Sequence, residues 1–474
     1  MTDTTLWTSE AARDATGGSV TRPWRATGVA IDSRAVGRGD LFVALVGPRR
    51  DGHDFVEAAL AKGAVAAVVG RDHAPRFAAG LPLLIVDDTQ GALEALGRRA
   101  RERTAARVVA VTGSVGKTGT KEALRLALED QGPTAASVKS FNNRWGVPLS
   151  LARMAPDARF GVFEVGMNHP GEIGPLSRLV RPDVALITTV EAVHLGYFPS
   201  IVAIADAKAE IFDGMTAAGT AVLNHDNPFY HHLAQAARAR GVRRIVSFGA
   251  HPDSTVRVIE AEIGAEASRV TAAVGRERVS YVLNVAGRHW VSNSLGVLAV
   301  LDALGADVAA GARSLARLAP LPGRGERHRV DLGCGELIVI DESYNSSPAA
   351  LKVALQVLAA TTPKRGGRRI AVLGDMAELG DQAPSMHAAF ATCAQAKGID
   401  LVFTVGSHMA HLRDALPSAM RAGHAADAEG ILGAVIEEVR AGDVVLVKGS
   451  RTMGLERVVA GLIDLRPQPM CCTG

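Results

Sequence analysis

RVVAVTGSVGKTGTKEALRLALED, residues 107–130, holds in one stretch an apolar run, a glycine turn and a helix-prone run. Val108 to Val111 suit a buried strand, and a helix is expected from Lys121 onward. Between them the small residues Gly113, Ser114, Val115 and Gly116 let backbone N–H groups and a helix N-terminus converge on phosphate oxygens. Lys117 adds a point charge, and the Thr118 hydroxyl suits a Mg²⁺ ion. Val111 stands where the usual G-x-x-x-x-G-K-T spacing has its first glycine. A glycine-rich turn with an exposed lysine is the plainer reading; the order strand, loop, helix favours an ATP phosphate site.

Outward from this segment the chain alternates strand-like and helix-like runs. GVFEVG (Gly161 to Gly166), VALITTV (Val184 to Val190) and AVLN (Ala221 to Asn224) suit buried parallel strands with helical crossovers. Upstream, GVAID, LFVAL and AVAAVV with the helix-like DFVEAALAKG form a smaller α/β unit. Residues 255–286 alternate apolar and polar, the pattern of an antiparallel addition to the sheet. LAPLPGRGERH (Leu318 to His328) breaks regular structure, and strand–helix alternation restarts at ELIVIDESYNSSP, continuing through RRIAVLGDM, LVFTVG and VVLVKGS. The expectation is α/β with three domains: a small N-terminal α/β domain (1–104), a central P-loop mononucleotide-binding domain (105–319) and a C-terminal Rossmann-like domain (320–474). In such sheets ligands lie beyond the carboxyl ends of the strands.

Composition narrows the classes. Across 474 residues, 52 Lys and Arg face 49 Asp and Glu and only 4% of residues are aromatic, which argues against a nucleic-acid binder. No apolar run is long enough to span a membrane, and the start, MTDTTLWTSEAARDATGG, has no secretory pattern, so a soluble, cytoplasmic, monomeric protein is expected. Cys334 and Cys393 stand alone and Cys471 and Cys472 are adjacent, without the spacing of a disulfide framework or a zinc site.

Three further residues are candidates only by position. Glu164 ends a strand where a carboxylate could reach a Mg²⁺ held by Thr118, although strand-end acids are commonly just solvated. His194 follows VALITTV and reads equally as a structural histidine, and Lys208, in ADAKAEIFDG, as a surface lysine.

Taken in order, DSRAVGRGDLFVAL with DGHDF, TGSVGKT, FNNRWGVPLSL, EVGMNHPGEI, VHLGYFPSIVAIADAKAEIF, GRHWVSN, PGRGERH, DESYNSSP, LGDMAELG and VLVKGSRTMGLE resemble the Mur ligase family over nearly the whole chain. These are ATP-dependent amide ligases of peptidoglycan precursor synthesis. The resemblance implies that Lys117 and the loop amides hold ATP, that Thr118 and Glu164 share a Mg²⁺, and that His194 binds a second. Lys208 matches a lysine carbamoylated by CO₂, and Lys117, His194 and Lys208 would be the catalytic set. Asn293, Arg324 and Asp341 or its neighbour Glu342 match nucleotide contacts. Asp32, Ser33 and Arg34 lie where the family meets the UDP part of its substrate, and Asn142, Asn143, Lys448, Ser450 and Arg451 match substrate positions.

YNSSP, GDMAELG and KGSRTMG look like the branch that joins UDP-N-acetylmuramoyl-tripeptide to D-alanyl-D-alanine, and no DNPR-type motif marks the diamino-acid branch. That branch would serve cell-wall construction, cell shape and division, with neither nucleic acid nor membrane as partner. Several positions depart from the family pattern: Val115, Gly119, Arg144, Trp145, Thr189, Gly196, Trp290 and Glu342. A ligase adding one amino acid, of Mur or folylpolyglutamate type, and a regulatory P-loop NTPase are the alternatives. The latter would hydrolyse ATP without an acceptor.

Overall fold

The computed structural model describes residues 5–364 and 366–466; Cys471 and Cys472 lie outside them. Its α/β architecture is divided among three large sheets, one for each domain. The first has five strands. Gly28–Ala30, Asp40–Val43, Ala66–Gly70 and Leu83–Val86 run parallel, and Ser19–Val20 closes an edge antiparallel. Alternate residues of the parallel strands are buried on both faces, which is why these runs read as continuous apolar stretches.

The central sheet has nine strands. Arg107–Thr112 lies between Phe160–Glu164 and Val184–Ile187, all parallel. After Arg107–Thr112 the chain first builds one side of the sheet and then crosses to the other, so a topological switch opens at this strand's carboxyl end. The register pairs Glu164 with Val111 and Ile187 with Thr112, so the three strands end together. At the far edge Val256–Ile263 joins parallel to Arg244–Gly249, and Ser268–Val274 and Glu277–Leu283 then add antiparallel, as the alternating pattern predicts. Arg288–Leu304 is buried for most of its length against one face, and the other face is closed by a separate apolar cluster including Val147, Ile173 and Phe212.

The third sheet has six strands, with Glu336–Glu342, Val444–Lys448 and Arg369–Gly374 at its centre. Glu342 and Leu373 flank Lys448 in the register, so these carboxyl ends form a second ledge of loops. The first and central domains share a core: Leu149 and Ala152 of the helix Gly146–Ala152 join the cluster of Trp7, Leu93 and Leu96, and the Trp7 indole donates to the Ala152 carbonyl at 2.9 Å. Trp145 packs on the same cluster. Among the described residues no helix is long and apolar enough to cross a membrane.

Candidate active site

The loop after Arg107–Thr112 is held from beneath. The Ser114 N–H donates to the Thr189 carbonyl at 2.9 Å, the Glu191 N–H to Ser114 Oγ at 2.9 Å, and the Thr188 hydroxyl to the Val115 carbonyl at 2.6 Å. Gly113 is at φ +147°, and a Cβ there would lie 1.9 Å from Thr188 Oγ1, so only glycine permits this packing. The helix that follows is Lys117–Glu129, beginning earlier than the expected Lys121. Thr118 and Gly119 are weak helix formers, but the Thr120 N–H closes a turn onto the Gly116 carbonyl at 2.9 Å and the first turn is packed from both sides, so tertiary contacts override propensity.

Gly119 and Trp290, two departures from the family pattern, meet: a Cβ at Gly119 would lie 2.5 Å from the Trp290 ring. The indole occupies the space that a side chain on the helix would need. Asn293, one turn further along the Arg288–Leu304 helix, lies beside Gly116, its amide 3.0 Å from where a Cβ would be.

Charge gathers at this strand end without being neutralised. Glu164 is 1% exposed; Oε1 accepts the Asn142 amide at 2.7 Å, while Oε2 is buried with no hydrogen-bond partner. A buried carboxylate oxygen left in this state is costly unless a cation meets it, and an oxygen donor that lines the same cleft as the Thr118 hydroxyl fits Mg²⁺. Lys117 Nζ donates to the Gly113 carbonyl at 2.6 Å; burial lowers its pKa, against the pull of Glu164 and together with the charge of Arg324. Lys208, from the helix Ile201–Ala209, is no surface lysine but 2% exposed. Burial, and then the charge of Lys117, hold its ammonium well below the usual lysine range. Both effects disfavour the charged ammonium.

Lys117 and Glu164 face a cleft of about 1520 Å³ between the central and third domains, lined also by His194, Trp290, Arg324 and Arg451 and, from the first domain, by Glu94 and Arg98; Lys208 lies outside this lining. The volume is larger than the roughly 300–1,000 Å³ of a site for one small ligand, and suits more than one substrate. His194 bonds through Nδ1 to Glu378 of the third domain, which holds the Glu378 carboxyl below the usual range. On the third-domain side Arg324 stacks on Tyr344, 4.2 Å from the ring centre, and Tyr344 bonds to Ser140 of the central domain.

Residues 25–101 match the model described as Mur ligase family, catalytic domain, residues 111–301 the Mur ligase middle domain, and residues 323–451 the Mur ligase, glutamate ligase domain. The chain belongs to the Mur ligase family. It is 36% identical over 437 residues to the UDP-N-acetylmuramoyl-tripeptide–D-alanyl-D-alanine ligase of Escherichia coli (strain K12), covering 92% of this chain and 93% of the relative. The ligase of the same name from Rickettsia prowazekii (strain Madrid E) is 30% identical over 96% of this chain and 99% of its own length. Among solved structures, MurF from Acinetobacter baumannii superposes with a TM-score of 0.83 at 28% identity, covering 97% of this chain and 99% of that one. MurF from Thermotoga maritima in complex with ADP gives 0.75 at 26%, covering 92% and 97%.

In this Mur ligase several residues matched by resemblance stand in supporting positions. Asn142 buttresses Glu164, and Asn143 Oδ1 accepts the Gly146 N–H at 3.0 Å, capping the helix Gly146–Ala152. Asp341 accepts the N–H groups of Ser343 at 2.9 Å and Gly323 at 3.2 Å; its neighbour Glu342 lines the cleft. Lys448, 2% exposed, donates to the Asn345 carbonyl at 2.9 Å and to Glu342 at 3.3 Å, and Ser450 Oγ accepts the Ala377 N–H at 2.8 Å. Arg451 is largely exposed at the cleft wall. Asp32 and Arg34 pair with each other at 2.8 Å after the first-domain strand Gly28–Ala30, and neither they nor Ser33 line this cleft. Glu378 and Tyr344 went unmarked in the sequence reading, although LGDMAELG and DESYNSSP contain them; only the meeting of two domains gives them neighbours.

Proposed function

We propose that this chain joins D-alanyl-D-alanine to UDP-N-acetylmuramoyl-tripeptide with ATP, in peptidoglycan precursor synthesis. The observation that carries the reading is that Lys117 and the unpartnered, buried Glu164 oxygen face one interdomain cleft, with the buried Lys208 close enough to feel the charge of Lys117. The proposed division is a first domain of residues 1–104 receiving the UDP moiety through Asp32, Ser33 and Arg34, a central P-loop domain of 105–319, and a Rossmann-like domain of 320–474.

A carboxylate is a poor electrophile at neutral pH. In the proposed reaction the tripeptide's terminal carboxylate oxygen attacks the γ-phosphorus of ATP, ADP leaves, and an acyl phosphate results. The amine of D-alanyl-D-alanine attacks the acyl carbon, loses a proton, and phosphate departs as the amide forms. Lys117 and the amides of Gly113 to Thr118 hold the phosphates, and Asn293 and Arg324 contact the nucleotide. The chain's contribution is positioning and charge compensation in a site shielded from water. Thr118 and Glu164 would hold one Mg²⁺ and His194 and Lys208 a second, supplying positive charge against the transferring phosphoryl group.

Lys208 would serve as an oxygen ligand after its amine nitrogen attacks CO₂ and a proton leaves, giving a carbamate anion. Its burial favours this, since only the neutral amine is nucleophilic. The nearly even charge and the lack of a spanning helix among the described residues support a freely diffusing enzyme working on soluble precursors.

The test is ADP release with a panel of UDP-linked donors and amine acceptors. Rapid turnover is expected with UDP-N-acetylmuramoyl-tripeptide and D-alanyl-D-alanine, and far slower coupling of D-alanine alone, which forfeits the binding that positions the amine. Equal coupling of free lysine, diaminopimelate or glutamate would overturn the branch, and ATP hydrolysis indifferent to any acceptor would overturn the ligase.

A further inference from the structure

Among the described residues four that are not glycine have a left-handed backbone: Lys139, Arg181, His194 and Glu378. The last two touch each other across the domain boundary, through His194 Nδ1 and the Glu378 carboxylate. Left-handed backbone is disfavoured for both residue types, so their surroundings, not local preference, hold this contact.

The surroundings can be named. The Gly196 N–H donates to the Glu378 carbonyl at 2.9 Å. A Cβ on Gly380 would lie 3.1 Å from the Gly196 Cα, so the two backbones approach where neither has a side chain. This close approach uses the missing side chain of Gly196. Glu378 itself sits on a loop tied to the third domain. The Ala377 N–H donates to Ser450 Oγ at 2.8 Å, and the Met376 N–H to His387 Nε2 at 2.9 Å. The Asp375 carboxylate accepts the Met409 N–H at 2.7 Å. Little in that loop can shift without dragging Glu378.

An imidazole has two nitrogens, and a carboxylate on one fixes the tautomer and the ring plane and makes the other a better ligand. With Nδ1 taken by Glu378, Nε2 is the nitrogen left for the cleft that His194 lines. We propose that Glu378 is the positioning residue for His194, aligning the central domain's histidine for a divalent cation only while the third domain is docked. The proposal rests on the reading of His194 as a Mg²⁺ ligand. A plain interdomain ion pair, serving only to tie the two domains together, would leave metal affinity unchanged.

The test uses the full chain loaded with a non-hydrolysable ATP analogue, with Mn²⁺ titrated as a spectroscopic substitute for Mg²⁺. Glu378→Gly removes the side chain at a backbone angle glycine prefers, so it folds without added strain. Its weaker Mn²⁺ site is expected to lose affinity by about tenfold or more. Its kcat should fall comparably while KM for ATP stays within about twofold. Glu378→Gln should recover most of both, since its carbonyl still accepts from Nδ1, and Glu378→Gly should add nothing in a His194→Gly background.

If Glu378→Gly binds Mn²⁺ like the wild type while His194→Gly loses a site, the positioning role is wrong and the ligand reading stands. If His194→Gly keeps every Mn²⁺ site, the ligand reading fails and the proposal with it. Glu378→Gln as impaired as Glu378→Gly would also overturn it.

Discussion

The strand ends of the central and third domains both carry buried charge, but in opposite states. In the central domain the Glu164 carboxylate keeps one buried oxygen unpartnered, and the charge that acts on Lys208 is that of another cation, Lys117. In the third domain Lys448 is equally buried yet bonded to Glu342 and a carbonyl, and Ser450 is bonded to a backbone amide. Groups left unsatisfied in a folded chain weaken it unless a ligand completes them, whereas satisfied groups hold loops in place. The central ledge is thus built for ligands and the third-domain ledge for shaping the wall opposite.

Substitutions on the two ledges should therefore separate activity from stability. The largest effect is expected from Lys117→Ala: ADP formation should fall by at least about a thousandfold, with the thermal unfolding midpoint unchanged or raised, because a desolvated cation is removed. Near-normal turnover would remove the phosphate site from this loop. Lys208→Met should cost on the order of a hundredfold in kcat, again without loss of stability. The unsubstituted enzyme should lose activity in CO₂-free buffer and regain it with bicarbonate; full activity without CO₂ would exclude a carbamate.

Lys448→Met should do the reverse. Stranding the Asn345 carbonyl and Glu342 should destabilise the chain by about 1–3 kcal/mol, seen in denaturant unfolding, with a smaller loss of turnover than at Lys117. A stable but inactive Lys448→Met would erase the contrast between the ledges. The smallest effect is expected for Gly119→Ala, whose new methyl meets the Trp290 ring but gains helix propensity, for a net cost of about 1 kcal/mol. Adding Trp290→Ala should relieve part of that cost; strict additivity of the two would mean the ring and the helix are not coupled.

The strand, turn and helix around Lys117 were legible because each local signal agrees: an apolar run, small residues, then a helix. The helix start was misplaced by Thr118 and Gly119, whose low propensity is overridden by packing. Glu164, His194 and Lys208 were visible as residue types but not in their settings, since the elements that carry them lie far apart in sequence and only folding places Glu164 and His194 on one cleft and buries Lys208. Lys208 shows the limit most plainly: its helical pattern suggests solvent, and only the packed Ile201–Ala209 helix shows it to be buried.

What the sequence by itself determined is the order of elements, the strand, glycine turn and helix around Lys117, and the family, because these depend on residues close together or on motifs in series. The tertiary structure alone decided which charges stay unpaired, that Asp341 turns to backbone while Glu342 faces the cleft, and that Glu378 reaches His194 from another domain. The physical reason is that local propensity and spacing act within a few residues, whereas desolvation and hydrogen-bond satisfaction are set by whatever the folded chain brings alongside.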